Sequence, residues 1–318
     1  IEQLGCSTQV AADLQFSRKP STLASYGKHW RSFQKWCLSN YFSPLKVLDF
    51  LREGFEKGLA TSTLNAQWAA IRAFNIDTDF SAVSPLVAHL LQSFRTRRPV
   101  TRSLVPSWDL SVVLNGLQLA PFEPLDGADV SWVSYKTAFL VAITSGRRLG
   151  ELGALGSNFP YLRFFPDRVS LRLDPRFVFK VQSLFHLSQE IVLPVFSDSD
   201  SSVPHSLDIK RALCVYTSLT KSFRSSDSLF VCFSSVNKGK RASSQTISRW
   251  VKQAIIQSYK NVGVSVPSVV QGRSTRAVSA TWAEADGLLF WKSAGRLPGL
   301  RIIPLLITTD CLFPSLMI

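Results

Sequence analysis

The sequence predicts a mainly α-helical protein with a small antiparallel β-sheet, arranged in two domains. Apolar residues recur at helical spacing along most of the chain, and the spacing changes to that of short strands between about 160 and 197. A basic segment punctuated by proline follows residue 95 and interrupts the helical pattern. With 318 residues, the chain is long enough for two domains that each bury a core.

The first domain, residues 21–95, is predicted to contain four helices, after a tail of residues 1–20 with little pattern. The first helix is predicted to be capped by Ser21-Thr22, and the second to start at Ser43-Pro44 and stop at Gly58. The third is predicted to be capped by Thr61-Ser62, and the fourth to start at Ser84-Pro85 and continue through Leu86 to Phe94. Aromatic residues such as Trp30 and Phe33 recur on one helix face. We interpret these stripes as the core of a compact all-α domain and not as surfaces that stack bases.

Residues 96–107 are predicted to link the two domains. The segment is basic and is followed closely by Pro106. Arginines at a hinge between two lobes lie where a DNA duplex would be clasped, so we consider four of them candidate backbone contacts: Arg95, Arg97, Arg98 and Arg102. A solvated run of charge is the alternative.

The second domain, residues 108–285, is predicted to be α+β. Helices are expected near 108–119, 131–143, 206–223 and 244–260, with short strands at 169–173, 177–180 and 191–195. A helix start is expected over 273–285, and residues 286–318 form a divergent tail. The basic turn between 238 and 241 is a second candidate for phosphate contact, through Lys238, Lys240 and Arg241, with a solvated loop as the alternative.

The charge of the chain favours a polyanionic partner. The formal net charge is +14, which indicates nucleic acid before a membrane surface. The five cysteines and four histidines are scattered without metal-ligand spacing, so we expect no metal centre, no disulfide framework and a reducing compartment. No apolar run reaches the length of a membrane span. The chain begins with Ile1, and we expect it to be a fragment of a longer product.

One stretch near the middle carries the candidate chemistry. The sequence Thr144-Ser145-Gly146-Arg147-Arg148-Leu149-Gly150-Glu151-Leu152 lies between two apolar segments. Glu151, three residues after Arg148, shares its helix face and can hold its guanidinium. A fixed guanidinium is suited to grip a phosphodiester, whereas a surface Arg–Glu pair at a helix start is the alternative.

Three segments give the chain a resemblance to the tyrosine recombinases, the phage-integrase family, and among them to the variant of eukaryotic DIRS-type retroelements. They are the helical segment 25–37, the turn 145–152 and the segment Arg273-Ser274-Thr275-Arg276-Ala277 through Ala283. The turn resembles the family's T-G-x-R-x-x-E-L box, and the last segment resembles its H-x-x-R box. The resemblance covers about 20–285 and implies a four-helix, SAM-like core-binding domain followed by an α+β catalytic domain.

The resemblance implies roles for individual residues. Arg148 and Arg276 would bind the scissile phosphate and stabilise its transition state. Lys180, on a predicted strand, would protonate the leaving oxygen, and Glu151 would support Arg148. In the family a tyrosine attacks and forms a 3′-phosphotyrosyl link, so no metal and no cofactor are expected.

The chain departs from the family pattern at two places. Arg273 stands where the box has its histidine, and an arginine cannot readily accept a proton. No tyrosine follows Tyr259, so the nucleophile is missing, and we interpret Tyr259 itself as a packing or surface residue. We therefore expect a mobile-element protein that binds double-stranded DNA in the nucleus but does not cut it alone.

Two alternatives to an incomplete recombinase stay open. One is a DNA-binding module without catalysis, and the other is a helical interaction protein whose arginines are structural. Homo-oligomers on DNA are the family's arrangement, but the divergent C-terminus leaves the assembly state of this chain undecided.

Overall fold

The chain divides into two compact units, Ile1–Arg102 and Ser103–Ile318. A computed structural model describes residues 20–75, 78–99, 107–177, 190–195 and 205–285, with the side chains of 20 and 282–285 excluded. The described elements are helices and one small antiparallel sheet, which confirms the predicted fold class.

The described part of the first unit consists of helices. They are α1 (Pro20–Cys37), α2 (Lys46–Glu56), α3 (Thr61–Phe74) and α4 (Val83–Arg97). Aromatic side chains fill the core, as predicted: Phe33 is buried and meets Phe50 edge to face, and Phe55 stacks on Phe94 with ring centroids 4.1 Å apart. Such pairs contribute beyond the area they bury.

The predicted helix starts in this unit were wrong by one to three residues. Ser21 and Thr22, predicted as a cap, lie inside α1. Helix α2 begins at Lys46, three residues after Ser43. Helix α3 begins at Thr61 itself and has Ala60 at its N-cap, without a side-chain cap. Helix α4 begins at Val83, so its buried face carries Val83, Val87, Leu91 and Phe94, while Leu86 is exposed. The α4 helix continues to Arg97, two residues into the segment predicted as the linker.

Helices build most of the second unit. They are α5 (Leu110–Gly116), α6 (Val130–Ser145), α7 (Leu149–Leu152), α8 (Ile209–Lys221), α9 (Ser244–Val262) and α10 (Thr275–Ala285). Aspartates missed by the sequence analysis cap three of them, since Asp109, Asp129 and Asp208 each accept backbone N–H bonds at the start of α5, α6 and α8. The helices 108–119 and 206–223 are therefore shorter than predicted.

Helix α6 is the centre of the second unit. Every side chain from Ala138 to Ile143 is buried, because α8, α9, α10 and β3 all contact this helix. A helix that is apolar on all sides has to be buried in this way. Helix α9 crosses α5 closely at Gly116, where a β-carbon would lie 2.3 Å from the carbonyl oxygen of Ser258.

The sheet has the strand order β1-β2-β3, with β1 at Leu162–Phe164, β2 at Arg168–Leu171 and β3 at Ile191–Pro194. Both pairings are antiparallel, with Leu162 opposite Leu171 and Val169 opposite Leu193. The predicted strand 169–173 is confirmed as 168–171 and the predicted strand 191–195 as 191–194, and β1 was not predicted. Phe177 is not in a strand, and the rest of the predicted strand 177–180 lies outside the described residues.

Candidate phosphate-binding site

The first arginine segment begins where α6 ends. Gly146 is the C-cap, and its left-handed backbone (φ 58°) turns the chain while its N–H bonds to the carbonyl of Ala142. Glycine adopts this conformation without the steric cost that a β-carbon imposes. Arg148 then occupies the N-cap of the short helix α7 in an extended conformation. The turn therefore places two successive arginines, Arg147 and Arg148, between a buried helix and a second helix start.

Glu151 lies between the two guanidinium groups. Its Oε1 accepts a hydrogen bond from Nη1 of Arg148 at 3.3 Å, and its Oε2 lies 3.7 Å from Nη1 of Arg147. The Glu151 side chain is only 7% exposed, against 15% for Arg147 and 53% for Arg148. The buried carboxylate thus holds both guanidinium groups, and the guanidinium of Arg148 is more accessible to solvent than that of Arg147.

Arg147 is the functional candidate that sequence analysis missed. Burial lowers the pKa of Arg147, Glu151 opposes that shift, and the positive charge of Arg276 lowers it further. Arg147 and Arg276 are therefore close enough to repel, although they are far apart in sequence. The resemblance assigns the first box to Arg148. The sequence did show two successive arginines after Gly146, which could have pointed to Arg147. Only their different burial in the structure distinguishes Arg147 from Arg148.

The second arginine segment is held against α9. A 3₁₀ turn, Gly272–Ser274, precedes α10, and a β-carbon on Gly272 would lie 2.5 Å from the carbonyl oxygen of Ser248. Thr275 is buried, and its hydroxyl donates to the carbonyl of Gly272 at 2.9 Å. Arg273 lies in this turn and not in the first turn of the helix as predicted, and its Nε donates to Gln271. Arg276 is on the exposed side of the first turn of α10.

The two arginine segments meet at Gly146. A β-carbon at Gly146 would lie 3.1 Å from the hydroxyl of Ser279, which is one turn after Arg276 on α10. Within the part of the chain that the structure describes, Arg273 and Arg276 form no ion pair, while Glu151 serves both Arg147 and Arg148. The surplus of guanidinium groups over carboxylates favours an anion here, and guanidinium pairs bind phosphate oxygens in fixed geometry.

Three other predicted contacts lie in the basic turn 238–241. Arg241 donates from Nε to the carbonyl of Gly153 at 2.7 Å and so fixes the residue that follows α7. Lys238 and Lys240 are exposed, and the ammonium of Lys238 lies 5.0 Å from the ring centroid of Phe223. The turn is therefore joined to the first arginine segment through Arg241, while its two lysines extend into solvent.

All four hinge arginines that were candidates for DNA contact belong to the first unit, and the structure describes three of them. Arg98 is committed to the backbone, because it donates to the carbonyls of Phe55 and Leu59 and stacks 4.0 Å from the ring centroid of Phe55. Arg97 also lies over Phe55, and Arg95 is exposed beside Gln92. Arg102 and Lys180 lie outside the described residues.

The buried tyrosines are structural. Tyr259 is 4% exposed and its hydroxyl accepts a hydrogen bond from the backbone N–H of Asp109 at 2.6 Å, in agreement with its interpretation as a packing residue. Tyr216 is buried, and burial raises its pKa to about 12. Neither side chain is available to a phosphodiester.

Solved structures resemble this chain at low identity. The lambda integrase (residues 75–356) bound to DNA is 14% identical with a TM-score of 0.48, covering 92% of this chain and 90% of that one. A lambda integrase tetramer bound to a Holliday junction is 15% identical with a TM-score of 0.45, covering 92% and 77%. XerA recombinase is 15% identical with a TM-score of 0.36, covering 90% and 86%. No family model and no curated protein matches the chain.

The residues that the structure describes contain neither a membrane-spanning helix nor a metal-ligand cluster. Among these residues, no helix combines the length and apolarity that a membrane crossing needs. No cluster of three or more His, Cys, Asp or Glu side chains within the same residues is arranged to hold a metal ion.

Proposed function

We propose that the chain binds double-stranded DNA and that its arginine segments form a phosphate site of the tyrosine-recombinase type. One observation carries the proposal: the turn at 146–148 and the start of α10, more than a hundred residues apart in sequence, are packed together at Gly146 and Ser279. These are the two segments that resemble the arginine boxes of that family. The net charge of +14 supports a polyanionic partner.

Each arginine has a distinct part in this proposal. Arg148 and Arg276, which are exposed, would bind the non-bridging oxygens of one phosphate, and Arg147 would add positive potential from a largely buried position. Glu151 would fix both members of the first segment. A positive cluster that is assembled before the ligand arrives needs little reorganisation to bind an anion.

We further propose that the chain is a mobile-element recombinase with an incomplete active site. The sequence has no tyrosine beyond Tyr259, and Tyr259 is committed to the core. We infer that the chain holds DNA in the nucleus without cleaving it. A nicked duplex incubated with excess protein should give no covalent adduct on a denaturing gel, and an adduct would overturn the proposed lack of cleavage.

The salt dependence of duplex binding tests the DNA-binding function. The logarithm of the association constant falls with the logarithm of salt concentration by about 0.9 for each phosphate that the protein neutralises. Arg276→Ala should weaken binding of a fluorescein-labelled, mixed-sequence duplex and reduce that slope by about 1. The matched control is Arg176→Ala, because Arg176 is 90% exposed in the same unit and is paired with Asp174. Equal effects of the two substitutions would contradict the assigned phosphate contact.

A further inference from the structure

We propose that Trp108 is a positioning residue that holds the two arginine segments in one arrangement, an inference that rests on the proposed function. Trp108 is 5% exposed and lies at the start of the second unit, away from both segments in sequence. Its Nε1 donates a hydrogen bond to Oγ of Ser274 at 2.7 Å. Its ring contacts Phe139 edge to face, with centroids 6.0 Å apart.

The hydrogen bond reaches the turn that presents the second segment. Ser274 lies between Arg273 and Arg276, and its hydroxyl also donates to the carbonyl of Gln271. One hydroxyl can donate once while accepting from another group, so both bonds can exist together. They tie the 3₁₀ turn to the indole on one side and to its own backbone on the other. The direction in which α10 starts, and hence the position of Arg276, depends on this turn.

The ring contact reaches the helix that presents the first segment. Phe139 is fully buried on α6, two helical turns before Gly146. A shift of the indole would therefore disturb α6 and the 272–274 turn together. Side chains that touch both halves of a site can fix their separation because packed interiors leave little room for independent movement.

The residues on either side of Trp108 hold it in place. The hydroxyl of Ser107 donates to the carbonyl of Val269, and the backbone N–H of Asp109 donates to the Tyr259 hydroxyl at 2.6 Å. The Asp109 carboxylate caps α5 through the N–H of Ser111 at 2.7 Å. Because its backbone is fixed on both sides, the indole can act as a rigid spacer and not as a mobile core residue.

The test uses the full chain and substitutions at the two ends of the hydrogen bond. Trp108→Phe keeps an aromatic ring against Phe139 and removes the donor, and Ser274→Ala removes the acceptor. Ser274→Thr retains the hydroxyl and should restore binding. We expect each of the first two changes to weaken binding of a fluorescein-labelled, mixed-sequence duplex about three- to tenfold, the effect of losing roughly one hydrogen bond. The double variant should bind about as well as Ser274→Ala alone, because Ser274→Ala already removes the bond from Trp108 together with the bond to Gln271.

Two results separate positioning from general stability. In an Arg276→Ala background, Trp108→Phe should weaken binding no further, since its effect operates through Arg276. An equal loss in that background would overturn the inference. Unchanged binding by Ser274→Ala, with Arg276→Ala still weakening it, would overturn the inference and leave the proposed function intact. Unchanged binding by Arg276→Ala would instead contradict the proposed function.

Discussion

Gly146 faces Ser279 so closely that a β-carbon on the glycine would lie 3.1 Å from the serine hydroxyl. This contact joins the end of α6 to α10 and brings the two arginine segments together. Two features favour glycine at this position. One is the close approach of Ser279, and the other is the positive φ of 58°, which other residues rarely adopt. Stability and the proposed phosphate binding therefore depend on the same glycine.

The first prediction concerns that glycine. Gly146→Ala should lower the free energy of unfolding by about 1 kcal/mol or more, from the left-handed backbone and the crowding at Ser279. It should also weaken duplex binding, because Arg147 and Arg148 follow directly. Urea denaturation and fluorescence anisotropy measure the two effects.

The control for this substitution is Gly150→Ala on α7. A β-carbon there meets nothing within 4 Å and its φ is not in the left-handed range, so alanine should leave the free energy of unfolding unchanged or raise it by up to about 1 kcal/mol. If the two alanine variants prove equally stable, the contact at Ser279 is not as close as the structure shows.

The second prediction concerns Arg98, whose fork binds the carbonyl oxygen of Phe55 in the last turn of α2 and that of Leu59 beyond the helix. Arg98→Lys should lower the free energy of unfolding by about 1 kcal/mol, because an ammonium cannot reproduce the planar pair of bonds and the stacking on Phe55. Arg95→Lys, in the last turn of α4, is the matched control and should change stability by less than about 0.5 kcal/mol. The melting temperatures of both variants are measured by thermal denaturation of the full chain. Equal melting temperatures would contradict the structural role of Arg98.

The third prediction concerns a buried ionic network. Lys136 is fully buried, and its Nζ lies 2.5 Å from Glu123, which also receives two hydrogen bonds from Arg211 at 2.9 and 3.0 Å. Glu123→Gln should destabilise the protein by about 3 kcal/mol, because it leaves two cations without their carboxylate. Lys136→Met should cost much less, because Arg211 still neutralises Glu123.

The pH dependence of stability follows from the same network. Burial lowers the pKa of Lys136 to about 8 from an ordinary value of 10.5, although Glu123 opposes the shift. Between these two values the unfolded chain binds more protons than the folded one, so the free energy of unfolding should rise with pH. The rise should be about 2 kcal/mol greater in the wild-type protein than in Lys136→Met. Parallel pH profiles from urea denaturation would show that Lys136 is protonated alike in both states.

The helices were largely predictable because their apolar faces repeat at 3.6 residues. The helical segment 25–37 lies within α1, which ends at Cys37, and the helix expected near 131–143 is the buried α6. Strand β1 was missed because three residues, Leu-Arg-Phe, are too few to show an alternation; tertiary pairing with β2 defines it. Helix α4 starts at Val83 and not at the Ser84-Pro85 signal, because burial of Val83 and Val87 fixes its register.

The candidate site was predictable in its residue types but not in its geometry. The order of Arg148, Glu151 and Arg276 in sequence indicated a phosphate site. The burial of Arg147 depends on the turn at Gly146, and the Trp108–Ser274 bond joins residues that no periodicity connects. Such long-range contacts arise from packing, so a single sequence cannot display them.

The most direct test of the shared phosphate site is a double-mutant cycle on Arg148→Ala and Arg276→Ala, read as the salt slope of duplex binding. If both arginines bind one phosphate, the salt slope of the double variant should be smaller than that of the wild-type protein by about one phosphate contact. The losses of binding free energy in the two single variants should then differ in sum from the loss in the double variant by at least about 0.5 kcal/mol. A slope reduced by about two contacts, with additive free energies, would show that the arginines bind separate phosphates and would contradict a single site.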